Sequence, residues 1–252
     1  MTFSTNSFKQ IVRRLFINLP RMADSNFAQK RVAYRSNDDL FLEENLESKD
    51  PIKLFSSWFQ NASECSDVRQ PNAACLATAT KNGIPSARFV LLKSYDEYGF
   101  TFYTNSCSRK GRELEENPVA ALTIYWDPLN RSVRIEGPVV KVSESESNEY
   151  FRTRPRSSQI GAHVSHQSSV IPNRDTLKKL TENIIMEFEN KDVPRPSYWN
   201  GYKILPHNIE FWQGQSDRLH DRIKFVRSEL AGEYQSVCKL GENGWAFYRL
   251  SP

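Results

Sequence analysis

The chain has 252 residues, of which 38% are hydrophobic, 12% aromatic and 25% charged, a balance that argues against a membrane-spanning or wholly disordered protein. No stretch approaches the ~18 consecutive apolar residues of a transmembrane helix. The net charge of +4 is concentrated at the start: residues 1–35 carry seven basic side chains and one acid, Asp24, leaving 27 basic and 29 acidic residues in the rest, so no broad basic surface for nucleic acid is expected.

Residues 1–22 contain no acid. Phe8, Ile11, Val12, Leu15 and Phe16 fall near one face at helical spacing beside Lys9, Arg13 and Arg14, the pattern of a mitochondrial presequence. An untargeted leader fits the same residues, and Met22 could serve as an internal start giving a cytosolic form. Residues 1–28 are therefore read as a leader and 29–252 as one domain, with a cytoplasmic or mitochondrial location expected. Asp50-Pro51 opens a helix whose apolar side carries Ile52, Phe55, Trp58 and Phe59. The period then changes. Ala73 to Thr80 and Ser86 to Lys93 read as a hairpin about Lys81-Asn82-Gly83, and Phe100 to Thr104 as a third strand after the turn Asp96–Gly99. Ser108 to Asn117 reads as a short helix stopped by Pro118.

Two further strands, Val119 to Trp126 and Ser132 to Val142, are joined by Asp127–Asn130. Helices follow at Ser143–Arg154, Ser157–Ser165 and Asn173–Asn190, the last with Leu177, Leu180, Ile184 and Phe188 on one side. A proline-rich link, Val193–Pro196, leads to late strands at Asn208–Gln213, Ile223–Arg227 and Trp245–Leu250. Strands in hairpin-like succession with inserted helices predict a mainly β, antiparallel barrel with flanking helices, not a doubly wound sheet.

There is no GxGxxG, no Walker loop and no GxSxG elbow. His163 and His166 lack the carboxylate or cysteine partners of a metal site, so no metal is expected. Cys65, Cys75, Cys107 and Cys238 match no redox or zinc spacing and read as reduced thiols. The densest segment is Glu210 to Arg222, where an aromatic strand runs into a loop presenting Arg218, His220 and Arg222. Alternation along an extended chain would put these three on one face. There the cations repel each other unless an anion sits between them, and arginine matches phosphate or carboxylate. A solvated strand edge neutralised by Asp217 and Asp221 is the plainer alternative.

This segment meets every specified position of E-[FW]-W-x-x-x-x-x-R-[LIVM]-H-[DNE]-R, and so resembles the C-terminal signature of the pyridoxine (pyridoxamine) 5′-phosphate oxidase family. Ser86–Lys93, Thr104–Gly111, Tyr150–Gly161, Ser165–Ser169 and the end Trp245–Pro252 are also similar to that family, over roughly residues 30–252. The resemblance implies an FMN-binding split β-barrel working as a homodimer, with FMN at the interface. The implied reaction oxidises pyridoxine 5′-phosphate or pyridoxamine 5′-phosphate to pyridoxal 5′-phosphate by hydride transfer from C4′. Dioxygen would be the final acceptor, giving hydrogen peroxide, with ammonia from the amine.

By the same resemblance Arg88, Arg109 and Lys110 would grip the FMN phosphate at a helix capped by Ser108. Phe89, Val90, Leu91, Tyr103, Thr104, Gln167, Ser168, Trp212 and Arg222 would complete the flavin site. Lys93, Tyr150, Arg154 and Ser158 would hold the substrate phosphate. Arg218 and His220 would act as the catalytic pair over the substrate ring, with Leu219 between them, and Arg31 and Tyr34 would fold over the site. One departure stands out: Ser132 occupies a position where the family commonly has a flavin-contacting Gln. Two rival readings keep the barrel: a flavin or vitamer carrier, which has no need of the Arg218/His220 pair, and a flavin reductase or deazaflavin enzyme, which should lack the full signature.

Overall fold

The Asp50 carboxylate accepts a hydrogen bond from the Ile52 amide at 2.8 Å, and Pro51 occupies the first turn, where its missing N–H costs nothing. That start fixes α1, Pro51–Glu64, in the computed structural model, which describes residues 40–232 and 236–252. The face anticipated from Ile52, Phe55 and Trp58 is buried. Phe55 meets Phe100 edge-on at 4.9 Å, and Trp58 meets Phe211 at 5.1 Å. Burying each such ring contributes about 2–3 kcal/mol, which seats α1 on the barrel's core.

Among the described residues ten antiparallel strands follow: β1 (Ala73–Ala79), β2 (Pro85–Asp96), β3 (Gly99–Asn105), β4 (Val119–Trp126), β5 (Arg131–Lys141), β6 (Trp199–Ile204), β7 (Asn208–Gln213), β8 (Asp221–Arg227), β9 (Lys239–Leu240) and β10 (Trp245–Arg249). Their order is β4-β1-β2-β3-β6-β5-β7-β8-β10-β9, and a further β4–β5 pairing closes the first six into a barrel. β5 is the fork. It pairs with β4 from Arg131 to Pro138, with β7 from Arg131 to Glu136, and with β6 from Val139 to Lys141. Gly137 sits where β6 and β7 part, and a Cβ there would lie 2.0 Å from the Leu205 carbonyl oxygen. Only glycine lets the two backbones approach this closely.

The antiparallel class and most elements agree with the sequence reading, with ends shifted by up to three residues and β2 extended to Asp96. β6 and β9 are additions to the strands anticipated. Between β3 and β4 lies α2 (Arg109–Glu116), and between β5 and β6 lie α3 (Glu144–Thr153), α4 (Arg156–Val164) and α5 (Arg174–Glu187). These three helices form a second apolar cluster. Phe151, Ile160, Val164 and Trp199 are buried there, with Leu177, Leu180, Ile184 and Phe188 of α5 against them.

Among the described residues no helix is long and apolar enough to cross a membrane. No group of three or more His, Cys, Asp or Glu is placed there to hold a metal. His163 Nε2 is engaged with the Pro194 carbonyl at 2.8 Å, and the four cysteines are free. The leader, its boundary at residue 28, and Arg31 and Tyr34 lie outside the described residues.

Candidate active site

β2 and β3 pair from the turn only as far as Leu92↔Phe102. Beyond that point β2 stays on β1 and β3 stays on β6. Among the described strands the edge of Phe89–Leu91 that would face β3 is therefore unpaired, and its backbone groups are open to a ligand. The register shifts between Leu92 and Ser94, so Lys93 is the extra residue of a β-bulge, the kind of irregularity that re-aims a side chain.

A cavity of about 720 Å³ fills the opening between the splayed strands, α3, α4 and the start of β6. Leu91, Lys93, Tyr103, Thr104, Tyr150, Arg154, Ser158 and Gln167 all line it. Two groups expected from the sequence, one for the flavin and one for the substrate phosphate, thus share a single space. Tyr150 and Arg154 lie one turn apart where α3 ends, Arg154 being the C-cap. Burial, in part offset by Tyr150, lowers the Arg154 pKa from its ordinary value. Burial also pushes the Tyr103 phenol up to about 12.

The second cation group borders this space. Ser108 caps α2, its Oγ accepting from the Gly111 amide at 3.3 Å, and the Arg109 amide donates to Ser168 Oγ at 3.1 Å. The helix start therefore offers an anion fewer free amides than its capping pattern implied, because two of them are satisfied within the chain. The charge lies instead in side chains. Lys110 is 8% exposed, and its Nζ donates to Gln167 Oε1 at 2.8 Å, Thr104 Oγ1 at 3.1 Å and Ser108 Oγ at 3.2 Å. Burial, with the neighbouring Arg88 charge, pushes its pKa down to about 8 against a smaller opposing pull from Glu113. A buried ammonium contacting only neutral oxygens suits an incoming anion such as a phosphomonoester.

Glu113, buried at 4%, organises the other two cations. It accepts from Arg109 Nε at 2.8 Å and Arg88 Nη2 at 3.3 Å, and from the Thr78 and Ser86 hydroxyls at 2.5 Å each. Burial pushes the Glu113 pKa up, but the hydrogen bonds from Ser86, Thr78 and Arg109 prevail and hold it near 2. Sequence reasoning passed over Glu113, although its position four residues after Arg109 on a helix was a usable signal.

The C-terminal set stands elsewhere. Trp212 and Arg222 are paired across β7 and β8, with Ser132 of β5 opposite Trp212. Arg222 donates to Glu210 Oε1 at 2.8 Å and to the Ser251 carbonyl at 2.7 Å. Arg218 lies in the turn before β8 at φ 71°, so it does not share an extended face with His220 and Arg222 as alternation suggested. Asp221 is occupied by Arg249 at 2.6 Å and does not neutralise the segment's own arginines. His220 Nδ1 accepts from the Gln215 amide at 3.0 Å, which leaves the ring's proton on Nε2.

Among the described non-glycine residues at positive φ, three are asparagines and the other two are Ser168 and Arg218. Asparagine tolerates this region. Holding Ser168 and Arg218 there costs about 1–3 kcal/mol each, the kind of strain found at ligand sites. None of Trp212, Arg218, His220 and Arg222 lines the 720 Å³ cavity. β7 and β8 hang on β5, and β5 is three strands from β2 by either route round the ring. One chain therefore carries the two residue groups on opposite sides of its barrel.

Comparison with known proteins gives concordant matches. Residues 63–186 match the family model described as pyridoxamine 5′-phosphate oxidase, and residues 199–252 match that of the pyridoxine 5′-phosphate oxidase C-terminal dimerisation region. The chain is 49% identical over 234 residues to a pyridoxine-5′-phosphate oxidase of Bos taurus, covering 92% of this chain and 90% of the relative. It is 52% identical over 227 residues to a pyridoxine/pyridoxamine 5′-phosphate oxidase of Bombyx mori, covering 88% of each. Its fold matches PhzG from Burkholderia lata 383, solved with tetrahydrophenazine-1-carboxylic acid, with a TM-score of 0.75 and 33% identity over 86% of this chain and all of that one. An FMN-binding protein of Nostoc punctiforme shares the fold at a TM-score of 0.57 and 12% identity, covering 79% of this chain and 95% of that one.

Proposed function

Since this chain belongs to the pyridoxine (pyridoxamine) 5′-phosphate oxidase family, we propose that its two cation groups hold two different phosphomonoesters, one of FMN and one of the substrate. The enzyme is an FMN-dependent oxidoreductase of vitamin B6 salvage, acting on pyridoxine 5′-phosphate and pyridoxamine 5′-phosphate. The observation that carries the assignment of roles is that two cation groups meet one cavity: Arg154 and Lys93 line it directly, while Lys110, beside Arg88 and Arg109, reaches it through Gln167.

In this reading Arg88, Arg109 and Lys110 take the FMN phosphate, and the open edge of Phe89–Leu91 lies along the flavin ring. Tyr103, Thr104, Gln167 and Ser168 complete that side. Lys93, Tyr150, Arg154 and Ser158 take the substrate phosphate. Bound there, FMN would supply the hydride acceptor that no side chain can provide, with dioxygen as the final electron acceptor giving hydrogen peroxide. The chain's own part is orientation: two fixed anion grips set the distance and angle between the reacting rings, which removes much of the entropic barrier. Dimerisation brings the second half-site. Trp212 and Arg222 of one protomer close the flavin pocket of the other, with Arg218 beside the substrate carbon, Leu219 next to it and His220 Nε2 donating to a ring substituent. We propose that the enzyme works in the cytoplasm or in mitochondria, on the strength of its acid-poor leader.

The visible spectrum tests this reading. The purified protein is expected to be yellow, and to bleach when pyridoxine 5′-phosphate is added without oxygen. A protein that stays colourless in excess FMN, or keeps its colour under anaerobic substrate, would contradict it.

A further inference from the structure

The arginines of the two cation groups are held by opposite means. Arg88 and Arg109 are both paired with the Glu113 carboxylate, whereas Arg154 makes no ion pair among the described residues. Its guanidinium carbon lies 4.5 Å above the centre of the Trp199 ring and 5.5 Å from that of Phe151. Its Nη1 is fully buried and has no hydrogen-bond partner among the described residues. Leaving such a donor unsatisfied is costly, and structures keep one where a ligand supplies the acceptor. Trp199 is 7% exposed, lines the cavity, and is itself fixed by a stack of rings. Tyr103 lies parallel to it at 5.2 Å, and Tyr150, 4.1 Å from Tyr103, lies parallel to Trp199 at 6.0 Å.

We propose that Trp199 is a positioning residue for substrate, holding the Arg154 guanidinium by cation–π stacking so that its charge and N–H donors stay available to the substrate phosphate. The chemistry explains the choice of partner. A carboxylate would fix the guanidinium equally well, but it would occupy the N–H fork and cancel the charge that the phosphate needs. A ring face stabilises the cation without using a donor. A cofactor phosphate that rarely leaves tolerates the first arrangement; a substrate that enters and leaves at each turnover is served by the second. This inference rests on the functional reading above.

The test is steady-state kinetics of the FMN-loaded enzyme and of Trp199→Leu and Trp199→Phe, with inorganic phosphate as competitive inhibitor. For Trp199→Leu, KM for pyridoxine 5′-phosphate and the phosphate inhibition constant are expected to rise about tenfold, the equivalent of about 1.4 kcal/mol and the size of one desolvated cation–π contact. Turnover at saturation and FMN content should stay within about twofold. Trp199→Phe, which keeps a ring, should recover most of the loss, and it carries the test alone, with a rise of about threefold, if the leucine variant does not fold. An unchanged KM and inhibition constant in an active variant would overturn the role of Trp199 alone. Parallel loss of FMN, turnover and substrate affinity in both variants would also overturn it, by assigning Trp199 to structure. A wild-type enzyme that fails to oxidise pyridoxine 5′-phosphate would overturn the functional reading first, and this inference with it.

Discussion

Lys110 is the residue at which the proposed phosphate grip is most directly testable. Its ammonium is buried, faces three neutral oxygens and titrates near pH 8. A lysine with a lowered pKa is charged below that value and neutral above it, while a bound phosphate dianion favours the charged form. FMN binding should therefore take up a proton at alkaline pH and weaken as the pH rises through 8. Fluorescence titration of the FMN-free protein is expected to show affinity falling about tenfold or more between about pH 7 and about pH 9.5. Lys110→Met should bind FMN weakly with little pH dependence, and riboflavin, which lacks the phosphate, should be insensitive in both proteins. FMN and riboflavin weakening in parallel would refute the role. The residue types here were readable in the chain, since Arg109 and Lys110 at a helix start oppose the helix dipole and so hint at an anion. The burial that lowers the lysine's pKa came only with the fold.

Among the elements, α2 and the β1–β2 hairpin are joined through one carboxylate. Glu113 binds Thr78 of β1, Ser86 and Arg88 of β2, and Arg109 of its own helix. Glu113→Ala strands those donors and should cost about 2–3 kcal/mol, read as a lower urea midpoint at neutral pH. The sign with pH follows from a carboxyl lowered from 4.5 to about 2. Its contribution is complete above about 4.5 and fades as the pH falls toward 2, so the gap between wild type and variant should narrow by pH 3. A gap that is constant with pH would show that the carboxylate's charge does not matter.

Several elements were legible beforehand, because their signals are local. Asp50-Pro51 starts α1, Ser108 and Asn173 cap their helices, and β4 and β7 span the residues anticipated. β6 was not, because Asn200-Gly201 in its middle reads as a turn. Gly201 is there for another reason: a Cβ would come 2.5 Å from Val142 and 2.7 Å from the Tyr103 ring. The bulge at Lys93 and the stacking on Trp199 likewise depend on the partner strands, which no local pattern specifies.

At the scale of the molecule, the ring topology underlies our proposal that the site is a joint product of two chains. β2 and the β7–β8 pair stand on opposite sides of the barrel, and the match of residues 199–252 to a dimerisation region supplies the partner. The signature from Glu210 to Arg222 was legible as residue types, yet its distance from Arg154 was not, because sequence order carries no information about which side of a closed ring a hairpin joins. The direct measurement is complementation. Arg154→Ala and Arg218→Ala homodimers should each be nearly inactive while retaining FMN. Mixed under conditions of subunit exchange, half the dimers become heterodimers, each with one site intact, so activity should recover to about a quarter of wild type. Recovery near that level is the predicted result, and no recovery from heterodimers shown to have formed would contradict a site shared between chains.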